Sequence, residues 1–298
     1  MSCCSSQIDA FESSKEEDRR QIKFAAYSVF VITLLLVVCR SVAYVATNSI
    51  AVKASILDAV KDWIVSSLNA LFLLKSIQAA NAKFPFGYGK IEALAALFQS
   101  MLLLGIGGVI VGDIFCASNS ATELVYSPIA IAVLGVSIVG SLILVLIQTR
   151  VANKVHSLAI RADAAHYKSD VVVNVGVLIG LLVSYAAHWI DIVIGGVIAV
   201  YLICVSIKIG ASALAVLLDR SLGPAVEVCV RAVVARAGGN VHSIRTHSLG
   251  RGEFIAIELN EDGKTKIAEL QKKSFAIEEE IHQIFKKSFV IIGIRPQH

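Results

Sequence analysis

The chain has 298 residues, of which 56% are hydrophobic and 17% are charged, and its formal net charge at pH 7 is +4. About a quarter of the residues of a soluble domain are charged, so this composition excludes an ordinary soluble protein and indicates a membrane protein. The small net charge gives no support for nucleic-acid binding, and the chain has no GxxxxGK phosphate loop that would predict ATP as an energy source.

Six apolar segments are each long enough for a helix that crosses a bilayer, which needs about 20 residues. These segments are residues 24–45, 48–76, 93–115, 127–149, 163–186 and 190–217. The remaining C-terminal residues are polar and have the size of one small domain. We therefore predict three parts: an N-terminal tail (1–23), a six-helix transmembrane transport domain (24–219) and a C-terminal domain (220–298).

Positive charge is concentrated in the loops on one side of these predicted spans. The residues concerned are Arg19, Arg20, Lys23, Lys83, Lys90, Arg150, Lys154 and Arg220. The loops on the other side, near 47–48, 117–126 and 187–189, contain no Lys or Arg. Because cytoplasmic loops are enriched in Lys and Arg, both termini and the C-terminal domain are predicted to be cytoplasmic.

The second predicted span carries two carboxylates in its middle, within ASILDAVKDWIV. Asp58 and Asp62 are four residues apart, so a helix presents both on one face, one turn apart. Lys61 lies about 100° around the helix from Asp62, and we expect it to point away from that face. If its ammonium reaches back to Asp58 instead, it competes with a cation for the carboxylates.

The fifth predicted span repeats this spacing within RADAAHYKSDVVV. His166 and Asp170 are also four residues apart, and ionisable groups at membrane depth indicate a functional site. If these two helix faces meet at the same depth, the four side chains build a tetrahedral cage. The predicted ligands are Asp58, Asp62, His166 and Asp170.

A purely structural interpretation of these residues is also possible. In this interpretation the aspartates of the second span pair with Lys53 and Lys61 and only stabilise packing. Asp163 then lies with Arg161 at the water interface, and His166 is a lone core histidine. Three carboxylates held together without a cation would, however, be very costly at low dielectric.

The donor set of the predicted cage indicates transport of a divalent cation. One nitrogen and three oxygens suit an ion such as Zn²⁺ or Fe²⁺. Because metal binding requires deprotonated ligands, metal and protons compete for the site, and alternating access would exchange them. Four protein ligands leave no open position for an activated water, and no HExxH motif supports a hydrolase, so we predict a transporter and not an enzyme.

The C-terminal domain has recognisable elements of its own. Residues 224–237 have a helical apolar period, and 265–287 form an amphipathic helix. The segments VHSIRTHSL and EFIAIEL alternate as strands, with a turn at Gly250–Gly252 between them.

Four segments make the chain resemble the cation diffusion facilitator family, and within it the bacterial zinc and ferrous-iron efflux pumps. They are DAVKD, FGYGKIEALAALFQS, RADAAHYKSD and LLDRSL, in this order. The resemblance implies a homodimer with six transmembrane helices per protomer and a cytoplasmic αββαβ domain similar to metallochaperones. It also implies that the four cage residues are the transport ligands, and that Lys90 and Asp219 form a charge interlock near the membrane surface.

The chain also departs from the family pattern. The loop NAKFPFGYGK has Phe84 and Tyr88 where related pumps often carry histidines, so a metal site in this loop is not expected. In the C-terminal domain, His242 and Glu258 are candidates for a residual metal site, while a further His and Asp of the family site are replaced. The replacing residues are Gly293 and Arg295.

The sequence thus predicts a secondary transporter that exports Zn²⁺, Fe²⁺ or a similar cation by proton antiport. The expected setting is the bacterial inner membrane, because no long histidine-rich loop is present, and no prosthetic group is expected. The alternative is a non-transporting scaffold or metal sensor on the same fold, against which the four buried ionisable residues argue.

Overall fold

The computed structural model describes residues 2–47, 50–116, 128–183, 188–262 and 265–297. The chain divides into two compact units. The first, which we call the membrane unit, comprises residues 12–79 and 91–213. The second, which we call the C-terminal unit, comprises residues 1–11, 80–90 and 214–298. The loop at 80–90 therefore belongs with the C-terminal domain, which the sequence did not predict.

Six long helices account for most of the membrane unit. They are α1 (Ser2–Thr47), α2 (Ile50–Ser76), α3 (Lys90–Cys116), α4 (Pro128–Val155), α5 (Leu158–Val183) and α6 (His188–Leu217). Within the described residues, four stretches are long and apolar enough to cross a membrane: Glu16–Val42, Lys90–Gly112, Ile131–Val155 and Val193–Leu217. The helices α2 and α5, which carry the predicted ligands, have 27 and 26 residues and are not among these four.

Residues 2–23, which the sequence assigns to an N-terminal tail, are helical and continue directly into the rest of α1. The sequence SSKEEDRRQIK is rich in residues with high helix propensity, which lose little side-chain freedom in a helix. Ile22 and Ala25 are fully buried, so the helix is already packed before the predicted start of the span.

The helices of the membrane unit pack closely at one end. The cluster there consists of Ile22, Ala25, Leu73, Ala95, Val151, Ala152, Ala159 and Ile160, all buried. Half of its members are alanines, and small residues let helix backbones approach closely in membrane proteins. We call this cluster the inner apolar plug.

The outer surface of the same unit is apolar. Leu35, Val139 and Val197 are each more than half exposed, and they represent many other large hydrophobic residues on these helices. Exposed apolar surface of this extent is unusual for a soluble monomer but is what a bilayer solvates.

The start of α5 is set by local interactions. His156 has a positive φ of 54°, which ends α4. Ser157 follows, and its hydroxyl accepts a hydrogen bond from the backbone N–H of Ile160 at 3.1 Å, as a helix N-cap does. The tight turn keeps α4 and α5 adjacent and antiparallel, which places α5 for the site described below.

The C-terminal domain has the predicted αββαβ order. Its elements are α7 (Pro224–Arg236), β1 (Asn240–Ser248), β2 (Glu253–Asp262), α8 (Ile267–Ile284) and β3 (Ser288–Gln297). The sheet order is β1-β2-β3, with β1–β2 antiparallel and β2–β3 parallel. Ile255, Ile257 and Leu259 alternate along β2 and are buried against α7 and α8, which is the two-residue period of a half-covered strand.

The loop at 80–90 packs on this sheet through an aromatic side chain and a backbone contact. The Phe86 ring is edge-on to Phe254 at 6.3 Å and to Phe289 at 5.6 Å between centroids. Gly89 and Gly250 meet backbone to backbone, and a Cβ added to Gly250 would lie 2.4 Å from the Gly89 carbonyl oxygen. A side chain at either glycine would therefore separate the loop from the β1–β2 turn.

We predict that Gly250→Ala releases the loop at 80–90 from the sheet. Gly250 has a φ of +87°, so the alanine brings backbone strain of about 1–2 kcal/mol in addition to the clash. Hydrogen–deuterium exchange of residues 84–90 should become faster. The control is Gly238→Ala, because Gly238 also has a positive φ (+71°) but open space around its Cβ. Equal protection of the loop in both variants would contradict the proposed close contact.

Candidate metal centre

The helices α2 and α5 lie side by side, as the predicted cage requires. The hydroxyl groups of Ser66 on α2 and Tyr167 on α5 form a short hydrogen bond, and both residues are buried. Ser66 is one turn after Asp62, and Tyr167 directly follows His166. This bond therefore holds the two helices at the depth where the candidate ligands are found.

Three of the four predicted ligands converge on one atom. The His166 Nε2 atom lies 3.8 Å from Asp62 Oδ1 and 3.6 Å from Asp170 Oδ2. His166 is only 2% exposed, and its two ring nitrogens form no hydrogen bond within the described part of the chain. A buried imidazole thus has two carboxylates at close range but forms no hydrogen bond within the described residues.

These distances do not amount to an assembled coordination sphere. Among the side chains that the structure describes, no three His, Cys, Asp or Glu groups are arranged to hold a metal ion together. Two ligands of a tetrahedral ion, each about 2.0–2.2 Å from it, are about 3.3–3.6 Å apart. The separation of 3.6 Å to Asp170 is at the upper limit of this range, and the separation of 3.8 Å to Asp62 is slightly longer. The fourth predicted ligand, Asp58, lies on α2, but its side chain is outside the described residues.

A cavity of about 130 Å³ adjoins this cluster. Asp62 and Asp170 line it, together with Arg40, Ser141 and Asn174. Asn174 follows Asp170 by one turn in the direction of the α5 C-terminus, so the cavity reaches the cluster from that end. The space is large enough for several water molecules and its lining is partly polar, so a hydrated ion can approach the carboxylates.

Two basic side chains share the cavity with the carboxylates. The Lys61 ammonium lies 3.6 Å from Asp62 Oδ1, so the expectation that Lys61 points away from the cluster is wrong. Adjacent residues are about 100° apart on a helix, but the four-carbon stem of lysine is long enough to fold back. The buried Arg40 also lines the cavity, and its Nη2 donates to Ser137 Oγ at 2.6 Å.

Asp163 is a site residue that the structural interpretation of the sequence misplaced. It is 1% exposed and not at a water interface, and its Oδ2 accepts a hydrogen bond from Gln148 Nε2 at 2.8 Å. The spacing in the sequence could have identified it. Asp163 is three residues before His166 and seven before Asp170, so all three share one helix face. Only the neighbouring helices decide whether that face is buried at this depth.

The two predicted interlock residues are in contact. The Lys90 ammonium lies 2.6 Å from Asp219 Oδ1, and both side chains are about half exposed. The His247 Nε2 atom is 3.7 Å from the same oxygen, and the His247 ring stacks on Phe254. The position of His247 beside Asp219 is known only from the structure.

The two candidate ligands of the C-terminal domain each face another protein group. His242 is at a β-bulge in β1, between Val241 and Ser243, and its Nε2 is 2.5 Å from Arg295 Nη1, which can donate to it. The Glu258 carboxylate accepts a hydrogen bond from Ser243 Oγ at 2.8 Å. A guanidinium therefore stands at the nitrogen atom that would bind a metal.

The membrane unit is helical and has carboxylates and an imidazole beside an internal cavity. These features are typical of membrane transporters of cations. Residues 26–218 match the family model of the cation efflux transmembrane domain, and this chain belongs to that family. The resemblance to cation diffusion facilitators is thereby confirmed.

Curated relatives extend the similarity over nearly the whole chain. The chain is 30% identical over 280 residues to the cation-efflux pump FieF of Pectobacterium atrosepticum. It is 31% identical over 280 residues to that of Serratia proteamaculans and 32% identical over 281 residues to that of Yersinia pestis. Each alignment covers 93% of this chain and 93% of the relative. The chain is therefore a multi-pass membrane protein of a metal cation efflux family.

We predict that Lys61→Leu raises the affinity for a divalent cation by at least about threefold. The substitution removes a positive charge that stands beside Asp62 and repels an incoming dication, in a partly solvated place where single charge pairs have modest energies. Isothermal titration of the purified protein with Zn²⁺ measures the change. Lys168→Leu is the control, because Lys168 is exposed on α5 and is not among the cavity residues. An unchanged Lys61→Leu affinity would show that this ammonium does not compete.

We also predict that the C-terminal domain does not respond to metal. Zn²⁺ at micromolar concentration should leave the melting temperature and dimer affinity of fragment 220–298 unchanged, because Arg295 stands at the His242 nitrogen. A binding ion at a hundredfold excess over its Kd would stabilise the fragment by about 2.7 kcal/mol. Calorimetry and analytical ultracentrifugation provide the readouts. A stoichiometric shift that disappears in His242→Ala would refute the prediction.

Proposed function

We propose that this protein exports a divalent cation of the Zn²⁺ or Fe²⁺ class from the cytoplasm in exchange for protons. The observation that carries the proposal is the approach of Asp62 and Asp170, from two different helices, to the buried His166 nitrogen beside a cavity. We assign Asp58 as the fourth ligand, because it lies one turn before Asp62 on α2. The transported ion is the substrate of this site and not a resident cofactor.

Competition between metal and protons supplies the coupling. A cation binds when the carboxylates are deprotonated and the imidazole is neutral, so binding expels protons. When the ion leaves, the crowded carboxylates attract protons, because like charges at low dielectric repel each other. On one side of the membrane the site therefore binds metal and releases protons. On the other side it releases the metal and binds protons.

Alternating access has a structural counterpart in the two ends of the membrane unit. The cavity reaches the ligands from the side of Asn174, whereas the inner apolar plug lies toward the start of α5. We propose that α2 and α5 are the remaining two spans, which gives six in total. With both termini cytoplasmic, as the Lys and Arg distribution favours, the plug faces the cytoplasm and the cavity faces the opposite side.

We further propose that the protein acts as a homodimer in a bacterial inner membrane. The full-length similarity to bacterial cation-efflux pumps supports this setting. In this assembly Lys90 and Asp219 would form the charge interlock that the family resemblance implies. The C-terminal domain would hold the two protomers together through apolar surface, since Phe289 and Ile291 on β3 are about half exposed.

The site is tested by removing one carboxylate at a time. We predict that Asp62→Ala and Asp170→Ala each abolish Zn²⁺-driven proton movement in proteoliposomes with an imposed pH gradient, while the protein still folds. Too few ligands remain, but like-charge repulsion is relieved in the protein without metal. Ser67→Ala should transport normally, because the hydrogen bond of the Ser67 hydroxyl within the described residues goes to the Trp63 carbonyl of its own helix. Wild-type flux in either aspartate variant would disprove the assignment, and comparison with Fe²⁺, Mn²⁺ and Cd²⁺ defines the cation class.

A further inference from the structure

The buried Asp163 lies on the same face of α5 as the candidate ligands. It precedes His166 by three residues and Asp170 by seven. At about 100° per residue these positions fall within about 60° of one another, and Asp163 and Asp170 are about 10 Å apart along the axis. Asp163 therefore continues the polar stripe of α5 away from the cavity, toward the inner apolar plug.

Amide side chains of two further helices meet this carboxylate. Gln148 on α4 is 0% exposed and donates from Nε2 to Asp163 Oδ2 at 2.8 Å. Asn69 on α2 is 4% exposed and lies close enough to interact with Asp163, without completing a hydrogen bond of normal geometry. Three helices thus bring one carboxylate and two amides together. We call these three residues the Asp163 cluster.

Several buried polar atoms of the cluster, the Asn69 amide nitrogen among them, have no hydrogen-bond partner within the described residues. Asp163 Oδ1, Gln148 Oε1 and Asn69 Oδ1 are buried and have no hydrogen-bond partner within the described residues. Most buried polar atoms in proteins are paired, and each exception requires an explanation. A network that served packing alone would be expected to satisfy these oxygens.

Within the described residues, the charge of Asp163 is also not offset by a Lys or Arg side chain. In the described part of the chain, no Lys or Arg forms an ion pair with Asp163, and Arg161 on the preceding turn is exposed. The ionisable groups that interact with it electrostatically include Tyr167 and two residues of the proposed transport site, His166 and Asp170. A buried carboxylate without a counter-cation is strongly disfavoured, so the cluster suits a cation that arrives from elsewhere.

We propose that Asp163, Gln148 and Asn69 form a second, weaker binding site for the transported divalent cation, on the closed side of the transport site. The proposal rests on the proposed function. Carboxylate and amide oxygens are common ligand atoms of divalent cations. With one formal charge instead of three, the cluster binds the ion less tightly than the transport site and can pass it along α5 to His166.

The position of the cluster fits a role in entry. In this structure the cavity opens to Asp62 and Asp170 from the other end, while Leu73 and Ile160 of the inner apolar plug lie on the side of Asp163. In the conformation that opens the plug, the ion coming from the cytoplasm meets Asp163 before His166. The cluster then raises the local concentration of the ion at the entrance.

Two opposite substitutions test the site in the full-length protein, with Zn²⁺ alone as the probe. Asp163→Asn keeps the shape and a hydrogen-bond acceptor but removes the charge. It should raise the KM for Zn²⁺ flux in proteoliposomes at least tenfold with a smaller change in kcat. Gln148→Glu adds a second carboxylate beside Asp163. It should strengthen the weak site at least tenfold in titration and make Zn²⁺ raise the melting temperature by more than in the wild type.

The matched control is Gln99→Glu on α3. Gln99 is equally buried, and its amide makes no hydrogen bond to Asp163 within the described residues. This variant should be destabilised without rescue by Zn²⁺. If Asp163→Asn does not fold, Gln148→Glu alone decides, and rescue by Zn²⁺ supports the site.

The proposal is overturned if Asp163→Asn retains the wild-type KM. It is also overturned if Asp163→Asn loses flux while Gln148→Glu gains no Zn²⁺ affinity, because Asp163 then acts on protons or on packing. Asp170→Asn separates this result from the proposed function. If that variant binds and transports Zn²⁺ like the wild type, the transport site itself is wrong, whatever Asp163 does.

Discussion

The membrane unit is organised by the cost of holding carboxylates and an imidazole together at low dielectric. The His166 nitrogen has a carboxylate oxygen within 4 Å on each of two sides, from Asp62 and Asp170. Charges in such a place must be neutralised by a cation, by protons or by basic side chains. The hydrogen bond between Ser66 and Tyr167 and the alanine-rich packing at the helix ends keep the helices close despite this repulsion.

The cavity illustrates how the chain balances these charges. The described residues that line it include two acids, Asp62 and Asp170, and two bases, Arg40 and Lys61. Positive charge on these two side chains would oppose the binding of a dication under the proposed function. A site that bound its ion too tightly could not release it. The Lys61 ammonium lies beside Asp62 and would weaken the binding of a cation to that carboxylate.

The C-terminal unit is held by a different kind of interaction. Its loop at 80–90 packs on the sheet through Phe86 and through the contact of Gly89 with Gly250. The sequence predicts no metal site in this loop, because it has Phe84 and Tyr88 where related pumps often carry histidines, and only a residual site at His242 and Glu258 on the strands. Aromatic packing and the Arg295 guanidinium occupy those positions here. Within the described residues, apolar contact and hydrogen bonding therefore stabilise the C-terminal unit at these positions.

The sequence by itself determined the features that depend on local spacing. Helix periodicity placed Asp62 and His166 on faces with partners one turn away, alternation predicted β1 and β2, and four short motifs were sufficient for the family. The tertiary structure alone decided the burial of Asp163, the position of Lys61 in the cavity and the pairing of His242 with Arg295. A helical period states which residues share a face, but the neighbour of that face comes from a distant part of the chain. The reach of a long side chain likewise depends on the space that those neighbours leave.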